Sequence, residues 1–265
     1  MFVKRLLITT LVYILLPTTI FLIAWVRPWI AVTSLGFLLL SIVIAVRSIQ
    51  SQTVDSSLTK WNKELLWYPV VLAFAICLFS EFGIWEYKSY DYIAHHYKYA
   101  LITSSTLPIF DESHQRNLCY YLGFYIVPGV LGKIVSAQYV QTVAFIWNFI
   151  GLVLSFTWLW IRFGGRNISV FSLLLLPLLL ITGSYVNCVM PLFDQLFQTD
   201  FIENNGIFLN RNFVLNQVPL FTRSLSESTQ HTLPAILGIS FFLALPNDRQ
   251  YIFSIIIFLF ATMFW

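Results

Sequence analysis

Charged side chains are scarce in this chain, with 15 basic and 12 acidic residues among 265, or 10%. A soluble globular domain carries about 25%. Hydrophobic residues make up 58% of the chain and the mean hydropathy is +0.77, so too few polar side chains are present to coat a water-soluble globule. We therefore expect an all-α, polytopic protein embedded in the lipid bilayer. The net charge of +3 is too small and too scattered to predict nucleic-acid binding.

Cysteines and nucleotide-binding motifs are also sparse. Of the cysteines Cys77, Cys119 and Cys188, the first lies in an apolar run and is expected to be inert packing, while the other two can pair only if they share one side of the membrane. No Cys-x-x-Cys, no P-loop and no Gly-x-Gly-x-x-Gly before a helix is found. The sequence thus gives no signal for ATP hydrolysis, NAD or a thiolate metal site. No cofactor is predicted. A divalent metal ion bound by Asp91, His95 and a distant third ligand stays open as an alternative without support from a motif.

Long apolar runs are abundant, and a membrane-spanning helix needs about 20 such residues. They occupy 6–26, 29–46, 66–85, 142–161, 168–186, 232–245 and 251–265. We expect a single transmembrane domain, 1–265, with about seven to eight spans and a tight turn at Arg27-Pro28. The chain stops at Trp265 inside an apolar run, so we expect the N-terminal part of a longer protein or a truncated copy.

Two long loops, 86–118 and 187–230, hold most of the polar chemistry, and we expect both to be extracytoplasmic and to contain interfacial helices. Their sidedness depends on 119–135, which can span the membrane or lie half-embedded. Counting Lys and Arg gives the same inside total either way. The short basic loop 162–166 favours the half-embedded arrangement. Tyr120, Tyr121, Tyr125 and Lys133 suit an interfacial helix, whose Tyr and Lys tips reach the headgroups.

In the first loop, Asp91, His95 and Lys98 recur at i, i+4 and i+7, so on a helix they share one face. A carboxylate, an imidazole and an ammonium beside a bilayer form a candidate reaction centre, although a solvated charged face has the same spacing. Asp91 can also cap a helix. His95 and His96 are adjacent and point about 100° apart, so a regular helix cannot bring both to one metal ion.

The second loop ends in Gln230-His231, directly before an apolar run. If the two loops meet, this pair would lie at the mouth of the membrane beside the first loop and contact a phosphate. Arg211 and Arg223 in the same loop are anion-binding candidates on charge alone, and exposed arginines without a role are the alternative.

Several separate motifs resemble one family of membrane enzymes. The matching residues are Asp91 with His95, Leu107-Pro108, Tyr120-Tyr121 through Tyr125, Gly132-Lys133 and Gln230-His231. Together these resemble the lipid-linked sugar transferases of the GT-C fold, such as dolichyl-phosphate-mannose protein mannosyltransferases, lipid A aminoarabinose transferases and uncharacterised bacterial relatives. The resemblance covers residues 80–245 approximately.

This resemblance implies a bacterial inner-membrane enzyme that transfers a sugar from a polyprenyl phosphate to an acceptor at the extracytoplasmic face. The first-loop acid of the family, here Asp91, is the expected catalytic residue. The residues expected to bind substrate are His95, His96, Lys98, Arg211, Arg223, Gln230 and His231. A transporter or flippase, with ionisable groups along a path, and a non-catalytic membrane subunit remain as alternatives.

Overall fold

The structure is a computed structural model that describes residues 2–51, 66–79, 90–111, 115–117, 122–163 and 229–244. Most of these residues are helical, and the rest form one short pair of strands and the connecting turns. The elements are α1 (Phe2–Trp25), α2 (Pro28–Ser51), α3 (Trp67–Phe79), α4 (Tyr90–Ser104), β1 (Phe110–Asp111), β2 (Arg116–Asn117), α5 (Leu122–Val135), a 3-10 turn (Ala137–Tyr139), α6 (Val140–Phe163) and α7 (Thr229–Ala244). The predicted helical class is confirmed for this part of the chain.

Five of the predicted apolar runs coincide with α1, α2, α3, α6 and α7. The turn at Arg27-Pro28 is confirmed, because α1 ends at Trp25 and α2 begins at Pro28. The first position of a helix is the one where proline is best tolerated. Cys77 is fully buried, as predicted for packing. The runs 168–186 and 251–265 lie outside the described residues.

Within the described residues, two helical stretches are long and apolar enough to cross a membrane, Arg5–Trp25 and Ala137–Arg162. Pro28–Leu40, Trp67–Leu78, Leu122–Val135 and Thr232–Phe242 are apolar but shorter. α5 has 14 residues, which span about 21 Å at 1.5 Å per residue. This is less than the hydrocarbon thickness of about 30 Å.

Helix α6 lies at the centre and packs against α1, α3, α4, α5 and α7. Its seam with α1 is aromatic and hydrogen-bonded. The Tyr13 ring stacks on Trp147 with centroids 4.0 Å apart, and its hydroxyl donates to the Trp147 carbonyl at 3.1 Å. Further along, the Trp158 indole N–H donates to the Thr10 hydroxyl at 2.9 Å. Since Tyr13 faces the earlier part of α6 and Thr10 the later part, α1 and α6 are antiparallel.

Helix α7 runs parallel to α6. The Cβ position of Gly151 faces Leu233, and Trp158 contacts Phe241, with ring centroids 5.4 Å apart. α6 and α7 therefore begin at the same end of the bundle, where α1 ends, and we call this the upper end.

Helix α3 crosses in the opposite direction. Phe74 packs edge-on to Phe145 and Phe149, and Tyr68 lies 5.2 Å from Trp160 between ring centroids. α3 consequently ends at the upper end.

Helices α4 and α5 lie together at the upper end and run parallel. Tyr99 packs on Tyr125, while Gly129 closely approaches Ile102 one turn later. A Cβ at Gly129 would lie 2.5 Å from the Ile102 Cγ2, so this contact needs glycine. The connection returns through a cis Leu107-Pro108 bond and the antiparallel β1–β2 pair.

Candidate functional site

Tyr125 is the centre of a polar cluster between α4 and α5. Its hydroxyl hydrogen-bonds His95 Nδ1 across 30 residues of sequence, and the two rings lie 5.5 Å apart. Tyr99 meets the same ring edge-on at 5.2 Å. Tyr125 is completely buried, which corrects the expectation that its tip reaches the headgroup region. Its hydroxyl instead holds the imidazole of His95 in place.

Lys98 lies above the Tyr125 ring, with Nζ 4.6 Å from the centroid. An ammonium over an aromatic face gains roughly 0.5–2 kcal/mol, depending on how far water is excluded. His95 and Lys98 thus reach the same aromatic side chain, so they share a face of α4 as the i+4 and i+7 spacing predicts. The arrangement places a fixed positive charge beside an oriented imidazole.

Asp91 lies in the first turn of the same helix, four residues before His95. Helical spacing puts the Cα atoms of the two residues on one side of α4. The side chain of Asp91 is outside the described residues. A carboxylate in a first turn is favoured by the helix dipole, typically by 0.3–1 kcal/mol. The backbone position in the first turn of α4 therefore favours an ionised carboxylate at Asp91.

His96 turns away from its neighbour, toward α6. The side-chain amide of Gln141, the second residue of α6, donates a hydrogen bond to His96 Nδ1. The two adjacent histidines thus contact different helices, as their angular separation predicts. Among the described residues, no group of three His, Cys, Asp or Glu side chains can hold a metal ion.

Burial sets the protonation of this cluster. Desolvation lowers the pKa of His96 below its ordinary value, so the ring is neutral at pH 7 and Nδ1 can accept the Gln141 amide proton. Burial, then the neighbouring Tyr125, raises the pKa of Tyr99 well above its ordinary value, so Tyr99 stays a neutral phenol. Lys98 is then the positive group to which an anion would be drawn.

Lys133, part of the Gly-Lys pair in the resemblance, has a structural contact. Its Nζ donates to the Ser105 carbonyl at 2.5 Å, just past the end of α4. An ammonium at this position satisfies a carbonyl at the helix end and complements the dipole. Gly132 allows the adjoining turn, because a Cβ there would lie 2.8 Å from Val140 Cγ2. This pair fixes the ends of α4 and α5 rather than entering the cluster.

The second-loop candidates are placed only in part. Gln230 and His231 lie in the first turn of α7, and their side chains are outside the described residues. The start of α7 is at the upper end, the same end as the His96–Gln141 contact. Arg211 and Arg223 lie wholly outside the described residues.

The sequence reasoning missed two residues of this site, Tyr125 as a hydrogen-bonding partner and Gln141. Gln141 is a polar residue one position before the predicted run 142–161. The signal available in the sequence was an amide side chain directly before a long apolar run.

One polar side chain lies deeper. Asn148, on α6 two turns beyond Gln141, is 1% exposed. Neither atom of its side-chain amide has a hydrogen-bond partner among the described residues. Such groups are rare, because an unsatisfied buried donor or acceptor costs about 1–3 kcal/mol.

Comparisons of the chain with protein-family models, with curated proteins and with solved structures found no match.

Proposed function

We propose that the chain is a membrane glycosyltransferase, or the N-terminal part of one, which transfers a sugar from a polyprenyl-phosphate donor to an acceptor at the extracytoplasmic face. The observation that carries the proposal is the gathering of His95, Lys98 and His96 around Tyr125 and Gln141 at the upper end of an apolar bundle. Gln230 and His231 lie in the first turn of α7, which begins at that same end. One polar site at one end of an apolar bundle suits a substrate with a lipid tail.

A bilayer around the bundle is part of this proposal. Between Trp29 and Leu40, helix α2 exposes large apolar side chains by more than half of their area: Trp29, Val32, Phe37, Leu39 and Leu40. Isolated apolar residues at a surface are ordinary, but a contiguous apolar face of this size calls for a partner surface. Lipid tails cover such a face without specific contacts. With Lys4-Arg5 inside, the upper end would lie at the extracytoplasmic face.

The chemistry requires few groups. The acceptor hydroxyl attacks the anomeric carbon, the bond from that carbon to the phosphate oxygen breaks, and polyprenyl phosphate leaves with the electron pair. Phosphate is a good leaving group and needs little acid assistance. Asp91 would take the acceptor proton as general base, and Lys98 would offset charge on the departing phosphate. His95 would position the acceptor, and the Tyr125 hydroxyl would hold the imidazole ring of His95 in place.

The direct test uses the full chain reconstituted in vesicles with a panel of labelled polyprenyl-phosphate sugars. We expect the wild-type protein to release polyprenyl phosphate and label an acceptor. Asp91→Asn should reduce the rate by at least about 100-fold, a common size for a general base, with membrane insertion unchanged. Asp111→Asn, in β1 of the same loop, is the matched control and should retain activity. A wild-type rate in the Asp91→Asn variant would remove Asp91 from the mechanism.

Sidedness gives a second test. Thiol labelling of Asp91→Cys and Gln230→Cys variants in intact cells should reach both positions from outside. Labelling from opposite faces would end the proposal, because the two segments could then not share a site.

A transporter or flippase is the second candidate, and Asn148 favours it. Polar groups inside membrane spans commonly mark a substrate path. The same vesicles separate the two functions. A transporter would move the lipid-linked sugar or a solute across sealed vesicles without releasing polyprenyl phosphate.

A further inference from the structure

A polar stripe runs down α6 from the candidate site. Gln141, Asn148 and Ser155 are seven residues apart, so they stand on one face of the helix with only about 20° of drift per step. The upper residue donates to His96, and the lowest donates from its hydroxyl to the Gly151 carbonyl at 2.8 Å. Only the middle residue of the stripe, Asn148, has no partner for its side chain among the described residues.

Helical geometry shows where Asn148 faces. Gly151 lies about 60° around the helix from Asn148 and is turned toward Tyr13 of α1 and Leu233 of α7. Gln141 lies about 20° to the other side and contacts α4. Asn148 is therefore directed between α7 and α4. It lies about 10 Å below Gln141, close to the level at which α7 begins.

An orphaned amide at this position has no structural benefit that an apolar side chain would lack. A leucine, which has the same branching and the same number of side-chain heavy atoms, would occupy this position without burying two unpaired polar atoms. The Asn148 side chain presents both a carbonyl acceptor and an N–H donor. A hydroxyl group also both donates and accepts, so adjacent sugar hydroxyls can satisfy both atoms of the amide. An ionised phosphate only accepts and would leave the carbonyl unpaired.

We propose that Asn148 binds sugar hydroxyls of the lipid-linked donor at the inner end of a cleft that begins at Gln141 and runs down α6 between α4 and α7. The identity of the donor in this inference rests on the proposed function. The phosphate would remain near Lys98, and Asn148 would recognise the sugar. The amide is then a specificity-determining residue and takes no part in bond breaking.

The first experiment compares donor binding to the purified full chain in detergent. The probes are polyprenyl-phosphate glucose, mannose and aminoarabinose, and polyprenyl phosphate without a sugar. Asn148→Leu should weaken binding of the preferred sugar lipid by about 5–100-fold, as expected for two lost hydrogen bonds. Binding of bare polyprenyl phosphate should be unchanged. Ser155→Ala, which removes a hydroxyl already bonded within α6, is the matched control. Unchanged sugar-lipid binding in Asn148→Leu would overturn the inference.

The second experiment tests the cleft without relying on transfer. In a background carrying Cys77→Ala, Cys119→Ser and Cys188→Ser, Asn148→Cys should react with a small charged thiol reagent in native membranes. The sugar lipids should slow this reaction more than bare polyprenyl phosphate does. Leu152→Cys is the control: this position is as buried as Asn148 but lies one turn further along α6, beyond the proposed cleft, and should react slowly.

The outcomes separate the two proposals. No labelling of Asn148→Cys, or equal protection by all the lipids, overturns the assignment of Asn148. If the wild-type chain transfers sugar while Asn148→Cys stays unprotected, this assignment fails and the proposed function stands. If sugar lipids protect the cysteine but no transfer occurs, the sugar site stands and the enzymatic function fails.

Discussion

The seam between α1 and α6 and the cluster between α4 and α5 use polar side chains in different ways. In the seam, neutral donors are buried in fixed pairs, such as Trp158 with Thr10 and Tyr13 with the Trp147 carbonyl. In the cluster, the ionisable groups His95 and Lys98 meet an aromatic ring near one end of the bundle. Neutral pairs inside apolar helices give a geometry that does not depend on pH. Ionisable groups at the end of the bundle can respond to charge in a substrate.

Changing the seam should produce the largest loss of stability. In Gly151→Val the new side chain would strike the Tyr13 hydroxyl, which cannot move aside without losing its stacking on Trp147. We expect a cost of about 3 kcal/mol, at the upper part of the range for overpacking. Thermal unfolding in detergent would measure it. Gly36→Val is the control, because nothing lies within 4 Å of a Cβ at Gly36, and equal losses in the two variants would contradict a tight seam.

Changing the cluster should affect activity more than stability. Tyr125→Phe removes the hydroxyl that bonds His95 but keeps the ring beneath Lys98. We expect a loss of about 1–3 kcal/mol from the missing partner and a slower transfer reaction, since the His95 imidazole loses its orientation. Transfer rate and unfolding temperature should be measured together. The control is Tyr139→Phe, at an exposed tyrosine, which should change neither quantity. If Tyr125→Phe has the same transfer rate and unfolding temperature as this control, the Tyr125 hydroxyl has no role in the site.

A smaller effect should appear on acidification. The folded-state pKa of His96 is lower than its unfolded value, so the unfolded chain binds more protons as the pH falls below about 6.5. The stabilisation from neutral His96 is present above that pH and is lost as the pH falls through the folded-state value. His96→Gln should reduce the loss of unfolding temperature between pH 7.5 and pH 5. The same pH dependence in both proteins would show that other groups control it.

The smallest expected effect concerns Lys133. Lys133→Met removes the ammonium that donates to the Ser105 carbonyl but keeps the aliphatic length. Because Lys133 is exposed, we expect a loss of at most about 1 kcal/mol. Unfolding temperature and transfer rate would both be measured. A large loss of transfer with no change in stability would show that Lys133 acts in the site itself and does not merely fix the ends of α4 and α5.

Local patterns in the sequence predicted much of the helical framework. Arg27-Pro28 marked the turn between α1 and α2, and the hydrophobic runs marked α6 and α7. The sequence left open whether segment 119–135 spans the membrane or lies half-embedded, because the segment is short and contains Pro128 and three glycines. The structure shows why glycine serves there. Gly129 admits Ile102, a residue whose approach cannot be read from local sequence.

From the sequence, only those features of the site that lie within the single helix α4 could be predicted. The common face of His95 and Lys98 followed from spacing along α4. Their shared contact, Tyr125, is 30 residues from His95. Gln141 is 45 residues from His96. Such pairings depend on how α5 and α6 pack against α4. Neither a local motif nor a hydrophobic periodicity can predict them.

The parallel packing of α7 on α6 has a consequence for biogenesis. Residues 164–228 must be synthesised before α7 begins at Thr229. Until then, the face of α6 that carries Gly151 and Asn148 lacks its native neighbour. In the bilayer that the proposed function requires, this face would expose an unpaired amide until α7 packs against it. We therefore expect the yield of folded protein to fall when synthesis pauses between residues 164 and 228.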